Sequence, residues 1–195
     1  MRMFVAVDLD DVARAVVAQE QRAVARRVKS SSIRLVEPGQ VHITLAFLGE
    51  VASPLSEQVT EAMRQPFTGI APFRLALGGV GMFPPRGAPR ILWIGLTDGA
   101  RPMIALQAAV ARRLDALGVT LEDRAFRPHV TIGRWRDARP SDRRAVENVE
   151  NVENNLSRAT AVEMMVDHVT LFESRLSSKG ASHFSLAQAQ LSTSP

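Results

Sequence analysis

His42-Ile43-Thr44-Leu45 and His129-Val130-Thr131-Ile132 have the same make-up: a histidine, an aliphatic, a threonine and an aliphatic. Each lies in a run with strand character, residues 41–48 and 126–134. Side chains on a strand alternate between its faces with period 2. His and Thr of each motif therefore share one face, and the two aliphatics share the other. The aliphatic face can pack on a core while the His/Thr face looks into a cleft. Two imidazoles and two hydroxyls facing one cleft are a set suited to acid–base chemistry on a phosphate ester.

The motifs are 87 residues apart, and the same offset relates their surroundings. Phe4-Val5-Ala6-Val7-Asp8-Leu9 falls on Ile91-Leu92-Trp93-Ile94-Gly95-Leu96. The helical stretch 12–28 falls on 99–115, and the charged stretch 54–64 precedes an apolar run as 141–150 does. This reads as a duplicated unit, roughly 3–83 and 90–174, within one bilobal domain spanning 1–195. Terminal strands are free to cross between the lobes. A duplication favours a pseudo-twofold, which would bring the two motifs face to face.

A chain of 195 residues with 46% hydrophobic content can bury a sizeable core as one domain. It has no cysteine, so disulfides and thiolate metal sites are excluded. This is compatible with a reducing cytoplasm, the expected location. Met1-Arg2-Met3-Phe4 runs straight into a strand without a signal-peptide apolar core, and no apolar run is long enough to span a bilayer. The net charge is +4, and Lys29 and Lys179 are the only lysines among the basic residues. Arginine's planar fork suits phosphate. Solvated surface arginines explain the charge as readily as a polyanionic partner does. The cluster Arg134-Trp135-Arg136 is more pointed, because it sets guanidinium and indole beside the second motif.

Helices are expected over residues 12–28, with Asp10 or Asp11 as cap, and over 101–117, stopped by Gly118. Ser53-Pro54 opens another, with Ser as N-cap and Pro at the first helical position. A polar helix is expected over 141–156, a long bent strand over 161–174 and a final strand over 183–189. Residues 82–89, with three prolines, read as a loop on the rim of the cleft. Hairpins and crossovers between two lobes suit this pattern better than one doubly wound parallel sheet, which gives an α+β class. The dinucleotide fingerprint and the P-loop are absent; Gly78-Gly79-Val80-Gly81 lacks the lysine and serine.

An imidazole pair can supply a general base and a general acid, provided one ring is neutral while the other is protonated. Thr44 and Thr131 can donate hydrogen bonds to the non-bridging oxygens of a phosphate. Arg134 is five residues after His129, so strict alternation sends it to the opposite face. A bulge or strand end at Gly133 would bring it back. Two histidines and two threonines are a poor metal ligand set, so no metal and no cofactor are expected. His168-Val169-Thr170-Leu171 also fits the pattern, but the 87-residue offset places it on Gly81-Met82-Phe83-Pro84, without a histidine. His168 is therefore read as structural or surface, and so is His183, which has no following threonine.

On these residues the chain resembles the two-histidine (2H) phosphoesterase superfamily, in particular its RNA 2′,3′-cyclic phosphodiesterase branch, historically called 2′-5′ RNA ligases. The matching stretches are 4–9, 41–51, 91–96, 126–134 and 169–174, in order along nearly the whole chain. The resemblance implies a bilobal α+β fold with two antiparallel sheets lining a central groove and helices outside. It implies hydrolysis of an RNA terminal 2′,3′-cyclic phosphate to a 2′-phosphate without cofactor, with 2′-5′ ligation as a weak reverse activity. His42 would be the proton donor and His129 the proton acceptor. Thr44, Thr131 and Arg134 would bind phosphate, and Phe172 would stack on a base. The partner would be RNA with a cyclic phosphate end, and the protein a monomer. A small cyclic nucleotide or an ADP-ribose cyclic phosphate is the alternative substrate. A non-catalytic RNA-binding protein on the same scaffold is the other alternative.

Overall fold

The computed structural model describes residues 1–28, 33–152, 162–177 and 180–193. Among the described residues there are four α-helices and ten strands, the strands being joined into one mainly antiparallel sheet. The first half of that sheet is built from β1 (Arg2–Asp8), β3 (His42–Glu50), β9 (His168–Ser177) and β10 (Gly180–Ser192), with the short β4 (Phe67–Thr68) parallel to β10 at the edge. The second half holds β5 (Phe73–Phe83), β6 (Ile91–Asp98), β7 (Val130–Trp135) and β8 (Val162–Val166), with β2 (Ile33–Leu35) paired to β7. The two halves are joined at β3 and β7 by the pair Ile43–Val130. The motif strands thus run side by side in one sheet.

The order is mirrored about that seam. Going outward, one finds β3, β1, β9 and β10 on one side and β7, β6, β5 and β8 on the other. β5, from the N-terminal half of the chain, sits in the second half of the sheet, and β9 sits in the first. The run expected as one bent strand over 161–174 is instead two strands broken at Asp167: β8 pairs with β5, while β9 pairs with β1 and β10. A continuous strand could not pair in both halves of the sheet.

The helices follow their caps and apolar spacing. α1 (Asp11–Arg27) starts at Asp10, whose carboxylate accepts from the Ala13 N–H at 2.7 Å. Its buried residues Ala13, Val17, Gln21 and Val24 recur at helical spacing and face β7 and β8. α3 (Ala100–Asp115) buries Met103, Leu106, Val110 and Leu114, and packs on β3. Gly118 adopts a φ of +77° just beyond it and stops the helix as expected. α2 (Leu55–Ala62) departs from expectation: Pro54 is its cap, and the Ser53 hydroxyl bonds the Glu57 carboxylate at 2.8 Å instead of capping a backbone N–H. α4 (Pro140–Val152) covers the described part of the polar helix; the rest of the stretch to 156 lies outside the described residues. No helix among the described residues is long and apolar enough to cross a membrane.

The motif aliphatics Ile43, Leu45, Val130 and Ile132 are at most 4% exposed and belong to the core beneath the helices. His42, Thr44, His129 and Thr131 are half-buried on the opposite face. Burying four aliphatics at about 1.5–3 kcal/mol each fixes which face the motifs present.

Candidate active site

The antiparallel pair Ile43–Val130 determines the neighbours on the polar face. One step along each strand, His42 lies across from Thr131 and Thr44 across from His129. Each histidine thus has the threonine of the other motif beside it. The two histidines are diagonal neighbours, a relation that spaces such residues by roughly 7–8 Å. That leaves room for a phosphate between the imidazoles.

Both rings are held in the same way. His42 Nδ1 lies 2.8 Å from the Gln40 carbonyl oxygen, and His129 Nδ1 lies 2.6 Å from that of Arg127. A carbonyl only accepts, so each Nδ1–H donates, and each Nε2 carries the free lone pair. Each histidine is anchored by the carbonyl two residues upstream, which fixes tautomer and ring orientation from the backbone just before its own motif.

Arg134 reaches this face through an irregularity in β7. Leu92 pairs with Gly133 and Trp93 with Thr131, so Ile132 is an extra residue. The bulge is at Ile132, one residue before the expected position, and it restores Arg134 to the side of Thr131. The Ile132 carbonyl, displaced from the ladder, accepts from the Val36 N–H at 3.0 Å and from Gln21 Nε2 at 3.0 Å. Gln21 Nε2 also donates to the Val36 carbonyl at 2.6 Å. Gln21, at 3% exposure on α1, therefore supports the bulge from below the sheet.

A cavity of about 710 Å³ opens on this face. His42, Thr44, Thr131 and Arg134 line it, and it extends past Phe4, Arg2, Phe47 and His183 of the first half of the sheet and along Arg34 and Leu35 of β2. The His129 ring lies beyond its end, edge-on to Phe83 at 5.2 Å and 6.2 Å from Trp93. Phe172 stacks on Phe4 at 5.1 Å, with its ring 6.4 Å from that of His42 and 6.3 Å from that of His183; Phe4, itself stacked on His42 at 4.8 Å, is buried between them.

Burial is the main influence on both motif imidazoles. It lowers His42 from 6.5 to about 4; the bond to the Gln40 carbonyl opposes this, and His183 and then Arg134 add smaller downward pushes. Burial also lowers His129, again with a smaller contribution from Arg134. Arg134 is thus within electrostatic reach of both rings. The Asp8 carboxylate, which accepts from the Thr170 hydroxyl at 2.9 Å, opposes the shift at His42. Among the described residues, no group of three or more His, Asp or Glu is placed to hold a metal ion.

Other residues differ from the sequence reading. His168 is at the start of β9 with Nδ1 2.6 Å from the Asp167 carboxylate, away from the cavity. His183, structural or surface by its sequence context, has its ring at the site, 5.2 Å from that of His42. Nothing local to residue 183 signals this; it depends on the register of β10 against β9. The indole beside the second motif is that of Trp93, because Trp135 points into the core at 7% exposure. The glycine cluster also has a use: a Cβ on Gly81 would overlap the Trp93 ring, so only glycine lets the indole lie there. Of the expected rim loop, residues 82 and 83 belong to β5, and Phe83 is the part that touches the site.

Comparison with known proteins gives the family that this fold and paired arrangement belong to. The family model of the 2′-5′ RNA ligase superfamily matches residues 10–177, and the chain belongs to that family. It is 33% identical over 181 residues to the RNA 2′,3′-cyclic phosphodiesterase of Archaeoglobus fulgidus, covering 92% of this chain and 94% of that one. It is 29% identical over 183 residues to the protein of the same name from Methanocaldococcus jannaschii, covering 92% and 95%. Among solved structures, a Thermus thermophilus protein superposes with a TM-score of 0.72 at 24% identity, covering 97% of both chains. E. coli LigT complexed with 3′-AMP gives 0.69 at 24% identity, again over 97% of both. These two likenesses show a shared fold.

Proposed function

We propose that this protein hydrolyses the 2′,3′-cyclic phosphate at the end of an RNA to a 2′-phosphate, using His129 as proton acceptor and His42 as proton donor. The observation that carries the reading is the crossed pairing of the motifs. It sets two imidazoles diagonally across one seam, each with Nδ1 tied to its own backbone and a threonine of the other motif alongside. The relatives named RNA 2′,3′-cyclic phosphodiesterase support the substrate class.

His129 Nε2 takes a proton from a water molecule, whose oxygen forms a new bond to phosphorus. The bond from phosphorus to the 3′ oxygen breaks, and His42 Nε2 delivers a proton to that oxygen. The charge that builds on the non-bridging oxygens is met by the hydroxyls of Thr44 and Thr131 and by Arg134. The two imidazoles end with exchanged protonation states and re-equilibrate with solvent. The direction of the cavity supports this division of roles. It opens on the His42 side, so a ribose seated there sets the leaving oxygen beside His42 and leaves the opposite face of the phosphorus to water. In the empty site burial holds His42 neutral near pH 7; the negative charge of a bound phosphate favours its imidazolium. Ligation through a 2′-5′ bond is the reverse of the same steps and is proposed as a side activity.

The test is turnover of a short RNA ending in 2′,3′-cyclic phosphate, with EDTA present, and identification of the product isomer. A 2′-phosphate formed at an undiminished rate in chelator is expected. Turnover confined to mononucleotides or ADP-ribose cyclic phosphate would move the substrate to a small molecule. A requirement for a divalent ion would overturn the two-histidine mechanism.

A further inference from the structure

His183 is half-buried on β10, opposite Ser174 of β9, and lines the cavity. Its ring stands edge-on to both motif-side rings, 5.2 Å from His42 and 4.8 Å from Phe4. The other three histidines each commit Nδ1 to a protein oxygen: the Gln40 carbonyl, the Arg127 carbonyl and the Asp167 carboxylate. Among the described residues, His183 is the histidine whose two ring nitrogens bond no protein group. Two uncommitted nitrogens on a cavity wall beside the reacting centre are open to a group that enters with the substrate.

Burial lowers the His183 pKa more than the Asp8 carboxylate raises it, so the ring is neutral near pH 7. A neutral imidazole offers one N–H donor and one lone pair. That combination suits a sugar hydroxyl or a base edge; the phosphate is served by Arg134 at the seam. Its neighbours in the cavity wall, Ser174 and Ser182, are also uncharged donors and acceptors.

We propose that His183 is a substrate-binding residue that hydrogen-bonds the nucleoside of the terminal nucleotide and seats it next to His42. This rests on the function proposed above. His183 does not take part in the proton transfers, so its loss raises KM and leaves kcat nearly intact.

Two variants and one spectrum test this. His183→Phe keeps a ring against His42 and Phe4 but removes both nitrogens; His183→Gln keeps a donor and an acceptor. With a cyclic-phosphate RNA, His183→Phe is expected to raise KM about tenfold, the scale of one good hydrogen bond, with kcat within about threefold. His183→Gln should recover most of the loss. Titrating wild-type protein with a nucleoside 2′-monophosphate should shift the ring nitrogen signals of His183. A wild-type KM in His183→Phe together with unmoved ring signals would overturn the proposal while wild-type turnover still stands. A fall in kcat at constant KM would also overturn it, since His183 would then act through His42. If the wild type turns over no cyclic phosphate, the proposed function fails, and the titration alone decides for or against His183 as a nucleoside contact.

Discussion

Ile43 on β3 and Val130 on β7 are paired across the seam of the sheet, and this pairing interleaves the two motifs. Both side chains are fully buried, so they lock the opposite face as well. A one-residue slip of either strand would turn its own His/Thr set into the core. The same pair that closes the core therefore sets the spacing of the two imidazoles.

Replacing either motif histidine by alanine should lower turnover by roughly 10²–10⁴, the usual contribution of a general acid or base. His168→Ala should stay close to wild type, because its ring is bonded to Asp167 away from the cavity. Steady-state rates with a cyclic-phosphate RNA check this. Near-normal rates in a folded His42→Ala or His129→Ala would remove the catalytic assignment.

Thr44→Val and Thr131→Val keep side-chain shape and remove the hydroxyl. If each hydroxyl supports the transition-state phosphate, each loss should cost about 1–3 kcal/mol in kcat/KM. The two effects should be alike, because the crossed pairing gives the threonines equivalent places. Unchanged kcat/KM in both would mean that they serve only the strands.

The pH dependence should differ between kcat/KM and kcat. In the free protein His42 lies at about 4, and His129 lies below its ordinary 6.5. One imidazole must be protonated and the other neutral, so kcat/KM should peak on the acid side of 6.5 and fall towards alkaline pH. A bound phosphate anion favours both imidazolium forms, so the kcat profile should be displaced upward in pH. Superimposable profiles, or a rate rising steadily into alkali, would contradict this.

Gln21→Leu removes the side-chain hydrogen bonds to the Val36 and Ile132 carbonyls and leaves the Ile132 carbonyl with the Val36 N–H alone. The expected cost is about 1–3 kcal/mol, the penalty for leaving buried polar groups unmet. Loosening the Ile132 bulge should also misplace Arg134 and lower kcat/KM several-fold. Urea denaturation and kinetics on the same preparation measure both; an unchanged midpoint would show that the bulge holds without Gln21.

Gly81→Ala puts a methyl group into the Trp93 ring. Overpacking of this kind costs about 1–3 kcal/mol. Because Trp93 and Phe83 wall the His129 ring, kcat should fall along with stability. Thermal melting and tryptophan fluorescence report the displacement; an unperturbed spectrum with full activity would mean the wall is slack.

Local chemistry in the sequence was enough for two of the helices and for the motif faces. Asp10 capping α1, Gly118 ending α3, and the alternation of His42, Ile43, Thr44 and Leu45 depend on neighbours along the chain. The tethers of His42 to Gln40 and of His129 to Arg127 are equally local. Relations between distant segments were decided by the tertiary structure. Arg134 joins the site through a bulge defined against β6 and supported by α1. His183 arrives through the register of β10, and Phe4 comes between His42 and Phe172 through the order of β3, β1 and β9. Strand alternation reads side-chain direction within one segment, but which strand lies next to which, and where a ladder slips, depends on burial summed over the whole sheet.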